Sequence, residues 1–228
     1  MSLFAIADTH LSFASNKPMD DFEGWLNYTD RLKENWNKII DDKDYVVIAG
    51  DISWAMNFDE LKADFDYINR LNGKKIILKG NHDYWWNTMS KMNKFIEENN
   101  FNTISILHNN AFDFDDFSVC GSRGWFFDSD EEQNEKVLNR EVMRIKTSIE
   151  SALNCEKIVF LHSPPVYENQ CCEEIVNLLK EKGIKKCYYG HIHGVAAKYA
   201  FDDNYDGIDF KLISADRLNF MPLLIKKF

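Results

Sequence analysis

Short apolar runs that alternate with amphipathic stretches constrain the fold of this chain more than any other feature. Buried strands of about five residues are predicted at Leu3–Ala7, Tyr45–Ala49, Lys75–Leu78, Lys157–Leu161 and Lys186–Tyr189. Helical periodicity lies between them, in Phe58–Leu71, Asp130–Leu153 and Glu173–Lys182. Such alternation predicts an α/β fold in which crossover helices connect the strands of a mostly parallel sheet.

Two further regions show the two-residue period of antiparallel strands. Phe112–Ser122 alternates around Asp115-Asp116, which predicts a hairpin. Near the C-terminus, turn residues at Asp202–Gly207 precede strands near Ile208–Ser214 and Leu223–Lys227. A second, partly antiparallel sheet would accommodate these strands.

The composition predicts one soluble globular domain spanning residues 1–228. The chain is 45% hydrophobic and 28% charged, and no repeat or Ser/Gly-rich linker divides it. No apolar run approaches the roughly 18 residues of a membrane span, and the start, MSLFAIADTH, lacks the basic region of a signal peptide. The five cysteines are an odd number without zinc-type spacing, which indicates reduced thiols. We therefore expect a cytoplasmic protein without membrane contact.

The net charge of −10 restricts the class of partner. A broad acidic field repels polyanions, which argues against general nucleic-acid binding. A small phosphorylated substrate stays compatible with this charge, because bound cations would reverse the local potential. The sequence does not identify protein partners.

Side chains of the types that commonly bind metals follow the predicted strands at the point where each strand ends. The set consists of Asp8, His10, Asp51, Asn81, His82, Asp83, His162, His191 and His193. It includes five of the six histidines, and only His108 stands outside it. A single histidine at a strand end is usually structural, but the carboxyl ends of parallel strands converge on one crevice. We therefore expect these side chains to meet in space.

The residue types in this set indicate the kind of metal. Asp, Asn and His without Cys suit Mn, Fe or Zn in open five- or six-coordinate geometry rather than a closed structural zinc site. Even seven of these nine groups would exceed the needs of one ion, and a carboxylate can bridge two. Two ions roughly 3.5–4 Å apart would clamp both oxygens of an in-line displacement and ionise a bound water. This chemistry is hydrolysis of a phosphate ester.

Five motifs in order carry a resemblance to a known family. D-x-H at Asp8, G-D at Gly50, G-N-H-D at Gly80, a lone His162 and G-H-x-H at Gly190 resemble the calcineurin-like metallophosphoesterases. The motifs run from residue 8 to 193, and the small stand-alone bacterial phosphohydrolases are the most similar subgroup. The resemblance implies a four-layer α/β/β/α sandwich, with two mixed sheets flanked by helices and a dinuclear centre at the strand ends.

The resemblance also implies a role for each motif residue. One ion would be held by Asp8, His10, Asp51 and His193, and the other by Asp51, Asn81, His162 and His191. Asp51 would bridge the ions, and a hydroxide between them would attack phosphorus. His82 would contact the phosphate beside Asn81 and protonate the leaving group. Asp83 would orient neighbouring backbone or side chains.

Two positions depart from the phosphoprotein phosphatases of this superfamily. Where those enzymes have an Asp three residues after the bridging Asp and an Arg before G-N-H, this chain has Trp54 and Lys79. The carboxylate that orients the catalytic histidine is therefore absent from the pattern. We favour a phosphodiester or a small phosphorylated metabolite as substrate, with a serine/threonine-type phosphomonoesterase or a non-catalytic metal-binding scaffold as alternatives.

Several residues near the motifs allow two interpretations. Arg123, in GSRGW, could fork onto a phosphate or be an ordinary surface arginine. The loop Ser12–Trp25 could bind ligand or only be anchored by its aromatic residues. Four tryptophans either form an aromatic rim around the substrate or pack the loops that carry the ligands. They are Trp54, Trp85, Trp86 and Trp125.

Overall fold

A computed structural model describes residues 1–125, 135–168 and 170–228. The first of its two large sheets has the order β13-β1-β2-β3-β4. Its strands are β1 (Ser2–Ile6), β2 (Tyr45–Ala49), β3 (Lys74–Leu78), β4 (Ile104–Ile106) and β13 (Leu223–Lys227). All neighbours are parallel except β13, which pairs antiparallel with β1. The predicted strands at the start of the chain are therefore confirmed to within one or two residues.

The second sheet is also mixed and has the order β11-β12-β10-β7-β6-β5. Its strands are β5 (Phe112–Asp113), β6 (Phe117–Ser122), β7 (Glu156–Leu161), β10 (Lys186–Tyr189), β11 (Asn204–Tyr205) and β12 (Ile208–Leu212). The outer pairs are antiparallel, and the hairpin expected in Phe112–Ser122 is confirmed by the pairing of β5 with β6. A separate small hairpin joins β8 (Val166–Tyr167) to β9 (Gln170–Cys171).

The last strand was expected in the second sheet, but it lies in the first. Leu223–Lys227 pairs with Ser2–Ala5, so β12 and β13 belong to different sheets. The physical reason is that β1 otherwise leaves one edge of the first sheet unpaired. The alternation of apolar and polar residues along a strand does not indicate which sheet edge the strand will pair with.

Helices cover the outer face of each sheet. The helices α1 (Tyr28–Ile39), α2 (Phe58–Arg70) and α3 (Met89–Glu98) pack on the first sheet, and α4 (Glu135–Glu150) and α5 (Glu173–Glu181) pack on the second. Residues 130–134 of the predicted helix Asp130–Leu153 lie outside the described residues, and its last three residues follow the end of α4. Among the described helices, none is long and apolar enough to cross a membrane.

Alternation along the strands explains the layers. In β2, Val46 and Ile48 face the helices, whereas Val47 and Ala49 face the second sheet. A core between the sheets brings β1, β2 and β3 against β6 and β7. The order is therefore helices, sheet, sheet, helices, and the expected four-layer α/β/β/α sandwich with two mixed sheets is confirmed.

Candidate metal centre

The loops that follow the parallel strands meet at one crevice between the sheets. After β1, the Asp8 N–H donates to Gly50 O at 3.0 Å and the His10 N–H donates to Asp51 O at 3.0 Å. In the second sheet, the Gly190 N–H donates to His162 O at 3.0 Å. Motif residues far apart in the sequence are thus fixed to one another through their backbones, as the parallel topology predicts.

One group of possible ligand atoms gathers around Asn81. Its Oδ1 lies 2.6 Å from His162 Nε2 and 2.9 Å from His191 Nδ1. His162 Nε2 is also 3.4 Å from Asp51 Oδ1. Ligands about 2.1 Å from one ion lie roughly 3 Å from each other, so these separations suit donors that share an ion.

A second group contains Asp8, His10 and Asp51, whose ligand atoms all lie within 4.8 Å of one another. Asp51 also belongs to a group of the same tightness with His162 and His191. Its carboxylate therefore lies between the two groups, with Oδ2 3.8 Å from His10 Nε2. The His193 ring lies beside His10, at a centroid distance of 5.2 Å.

The residues present fit bound cations. His10 is 1% exposed, and neither of its ring nitrogens has a hydrogen-bond partner among the described residues. Buried polar atoms without a partner are costly unless a ligand satisfies them. His162 Nδ1 lies 3.0 Å from the carbonyl of Ala49, an arrangement that leaves Nε2 directed towards Asn81. Oxygen and imidazole donors without thiolate suit Mn, Fe or Zn.

The charges of the cluster also favour a cation. Burial lowers the pKa of His10 and of His191 to about 3, so both rings are neutral and offer lone pairs. Burial would raise the pKa of Asp51, but the charge of His162 holds it below its usual range. Burial would likewise lower the pKa of His162, yet Asp51 and Asp8 raise it to about 9, so this ring would release a proton when it binds a cation. Burial itself raises the pKa of Asp8 to about 6.

The backbone around this cluster adopts unusual conformations. Asp8, His10, Asp51 and His191 all have positive φ, at 57°, 42°, 49° and 70°. Such conformations cost energy for residues other than glycine and concentrate at functional sites. A Cβ at Gly80 would lie far inside contact distance of the Asp51 carboxylate, so only glycine fits there.

Asp83 holds two of the motif loops together. Its Oδ2 accepts the N–H of Gly80 at 2.7 Å and of Asp51 at 3.0 Å. Its Oδ1 accepts the N–H of Ile52 at 2.9 Å and of Ser53 at 3.4 Å. The expected orienting role of Asp83 therefore has a physical basis in four backbone donors around one buried carboxylate.

His82 projects from the edge of the cluster. Its N–H donates to Asp51 Oδ1 at 2.8 Å, and its ring packs against Trp54 at 4.6 Å between centroids. Nδ1 lies 3.1 Å from the hydroxyl of Tyr84, and Trp54 stands at the position where the phosphoprotein phosphatase pattern has a carboxylate. Burial, with smaller contributions from His162, His193 and Lys17, lowers the pKa of His82.

Two residues at this edge escaped the sequence analysis. Tyr84 contacts His82 because the chain turns after Gly80. Its position two residues beyond the histidine is the sequence feature that could have predicted this contact. Lys17 lies in the loop Ser12–Trp25, and its Nζ is 4.7 Å from the centre of the Trp54 ring. That loop therefore reaches the crevice.

The four tryptophans divide between the two interpretations. Trp54 stacks on His10 at 4.8 Å and so borders the crevice. Trp85 is buried against Phe65, and Trp125 is buried in the core of the second sheet. Trp86 is half-buried and lies between Trp85 and His108. The rim interpretation is supported for Trp54, and packing for Trp85 and Trp125.

Arg123 lies in the loop that directly follows β6, and its backbone contacts a residue of the crevice. Its carbonyl accepts the N–H of His162 at 3.0 Å and of Ser163 at 2.7 Å. The loop that carries it is held by Glu141 of α4, which accepts the N–H of Gly124 at 3.0 Å and the Ser122 hydroxyl. Its role towards a substrate phosphate stays a prediction.

A mixed two-sheet sandwich with carboxylate, amide and imidazole groups at its strand ends is the architecture of a metal-dependent hydrolase. Residues 1–195 match the calcineurin-like phosphoesterase family, and the chain belongs to that family. This family assignment confirms the resemblance that the five motifs indicated.

Individual relatives are more distant. An uncharacterised protein of Methanocaldococcus jannaschii is 34% identical over 86 residues, which cover 36% of this chain and 46% of that protein. The match thus spans less than half the length of that relative. The phosphopantetheinyl hydrolase of Mycobacterium tuberculosis has a similar structure, with a TM-score of 0.58, 13% identity, and coverage of 100% of this chain and 96% of that one.

A protein of unknown function from Aquifex aeolicus is also similar in structure. Its TM-score is 0.51 at 16% identity, with coverage of 98% of this chain and 95% of that chain. At such low identity, these two structures show a shared fold.

Proposed function

We propose that this chain hydrolyses phosphoesters at a centre of two divalent ions and acts on a phosphodiester or a small phosphorylated metabolite. The observation that carries the proposal is the position of Asp51, whose carboxylate is common to both groups of ligand atoms. Mn²⁺, Fe or Zn suits the donor set. When bound, two such ions supply Lewis acidity and lower the pKa of water.

The residues around the ions would have different roles in metal binding and catalysis. Asp8, His10 and His193 would hold one ion, Asn81, His162 and His191 the other, and Asp51 both. His82 would touch the phosphate and pass a proton to the leaving oxygen, since it projects from the cluster beside the Tyr84 hydroxyl. Arg123 would add charge for a phosphate oxygen.

The surroundings of His82 support a substrate other than a phosphoprotein. Its ring contacts Trp54, at the position where the phosphoprotein phosphatase pattern has a carboxylate, and its Nδ1 lies beside the Tyr84 hydroxyl. The solved hydrolase with the shared fold is named for a phosphopantetheinyl group, which agrees with a small metabolite as the phosphoester. A cytoplasmic location is part of the proposal and is supported by the five free cysteines.

Three substrates test the proposal. The substrates are bis(4-nitrophenyl) phosphate, 4-nitrophenyl phosphate and a phosphopeptide. The turnover of each is measured in the presence of Mn²⁺, after chelation, and again after Mn²⁺ is restored. We expect hydrolysis of the first two, loss on chelation, recovery with Mn²⁺, and a loss of at least about 100-fold in Asp51→Asn. A strong preference for the phosphopeptide, or full turnover in Asp51→Asn, would contradict it.

A further inference from the structure

A cavity of about 810 Å³ opens beside His82 and His193. This volume lies within the range of sites that enclose a small organic molecule, roughly 300–1,000 Å³. Its apolar wall consists of Met19, Phe22, Trp25, Trp54 and Val195. Because His82 borders both the cluster and the cavity, a group that leaves phosphorus towards His82 would enter this cavity.

We propose that the cavity binds the leaving alcohol of the substrate and selects an uncharged alcohol with an apolar body over one that carries a second anionic group. The inference rests on the proposed function, and it adds the chemical class of the substrate. It is carried by two features of the wall, which are its rigid apolar surface and the sign of its charged groups.

The apolar wall is held in place by its own contacts. Trp25 is buried and packs edge-on against Phe220 at 5.0 Å between ring centroids. The indole N–H of Trp54 points at the sulfur of Met19, 3.3 Å away. In contrast, Phe22 and Val195 also line the cavity but leave 59% and 74% of their surface exposed. Exposed apolar side chains on a fixed apolar floor are typical of a surface that an apolar ligand covers.

The charged groups of the wall disfavour a second anion. Two carboxylates line the cavity, those of Glu23 and Asp216. The guanidinium of Arg31 also lines it, but one nitrogen donates to Gly24 O at 2.7 Å and the group stacks on Phe220 at 4.6 Å. Arg31 keeps its positive charge with these uncharged partners, but the lining carboxylates outnumber the lining guanidinium two to one. A second phosphate or carboxylate would therefore meet a wall with an excess of negative charge.

A matched pair of substrates tests the selection directly. Benzyl methyl phosphate and 4-carboxybenzyl methyl phosphate have the same body and differ by one carboxylate. We expect the holoenzyme to show kcat/KM roughly 10-fold higher for the benzyl diester. Glu23→Lys should narrow this ratio at least about 3-fold, whereas Glu97→Lys, the same charge change on the exposed face of α3, should leave it unchanged.

The apolar wall has its own variant. Phe22→Ala should lower kcat/KM for the benzyl diester about 5-fold, while Met143→Ala, an equally exposed residue on α4, should not. Equal kcat/KM for the two diesters, or a ratio that Glu23→Lys and Glu97→Lys change alike, would overturn the proposal.

Binding without turnover separates this inference from the proposed function. Ligand-observed NMR on the same protein compares benzyl alcohol with 4-(hydroxymethyl)benzoate. If benzyl alcohol contacts the protein and Phe22→Ala weakens that contact, the result supports binding of an apolar alcohol in the cavity. It does so even if no phosphoester is hydrolysed and the proposed function fails. Equal contact with the two compounds overturns the cavity's selectivity, even if phosphoesters are hydrolysed.

Discussion

Replacing Asp83 by Asn should disorder the candidate metal centre without touching a ligand. Asp83 is fully buried, and its two oxygens accept four backbone N–H groups from the loops after β2 and β3. An amide keeps one acceptor oxygen and presents an NH₂ group to two of those donors. Each buried group left unsatisfied costs about 1–3 kcal/mol, so two cost about 2–6 kcal/mol. This is a large part of the 5–15 kcal/mol typical of a domain.

The consequence for activity follows from the same contacts. Asp83 positions the N–H of Asp51, and a shift of about 1 Å in a catalytic group can cost 100-fold in rate. Denaturant unfolding would give the free energy, and turnover of bis(4-nitrophenyl) phosphate with Mn²⁺ would give the activity. Asp59→Asn, at an exposed carboxylate in the first turn of α2, is the matched control. If the Asp83→Asn protein were as stable and as active as the Asp59→Asn protein, the proposed role of Asp83 would be wrong.

Three further changes test other parts of the structure. Tyr84→Phe removes the hydroxyl that lies 3.1 Å from His82 Nδ1, so kcat should fall roughly 3- to 10-fold with little change in KM; an equal change in both would argue against an orienting role. Gly80→Ala should abolish metal binding, measured by elemental analysis, because its methyl group collides with the Asp51 carboxylate. Gly183→Ala strains the backbone at a φ of 70° but meets no atom within 4 Å, so this control should bind metal normally. Burial lowers the pKa of Lys75 from 10.5 to about 8, so between those values the unfolded chain holds a proton that the folded chain has released. The free energy of unfolding, compared with Lys75→Met, should therefore rise by up to about 3 kcal/mol from pH 8 to 10.5, and a flat difference in urea titrations would contradict this.

The strand cores and the candidate ligands were predictable for related reasons. A strand buried on both faces must be an apolar run, so Tyr45–Ala49 is visible without any tertiary information. Parallel strands end at one edge, so the polar residues that follow them had to approach one another. Asp51 and His162, 111 positions apart in the sequence, lie 3.4 Å apart for this reason.

Features that depend on distant partners were not predictable from local sequence. The pairing of Leu223–Lys227 with β1 depends on which sheet edge is free. Lys17 approaches Trp54 only through the path of a long loop. Trp54 and Trp85 are both near motifs in sequence, yet only the fold decides that one borders the crevice and the other packs against Phe65.

The number of ions bound per chain tests the central claim most directly. Elemental analysis after Mn²⁺ loading should find two ions in the unaltered protein, one in His10→Ala and one in His191→Ala. It should find fewer than one in Asp51→Ala because, among the residues that the structure describes, Asp51 alone belongs to both groups of ligand atoms. His108→Ala, the histidine outside the strand-end set, should retain two. One ion in the unaltered protein, or two in both His10→Ala and Asp51→Ala, would contradict a shared dinuclear centre.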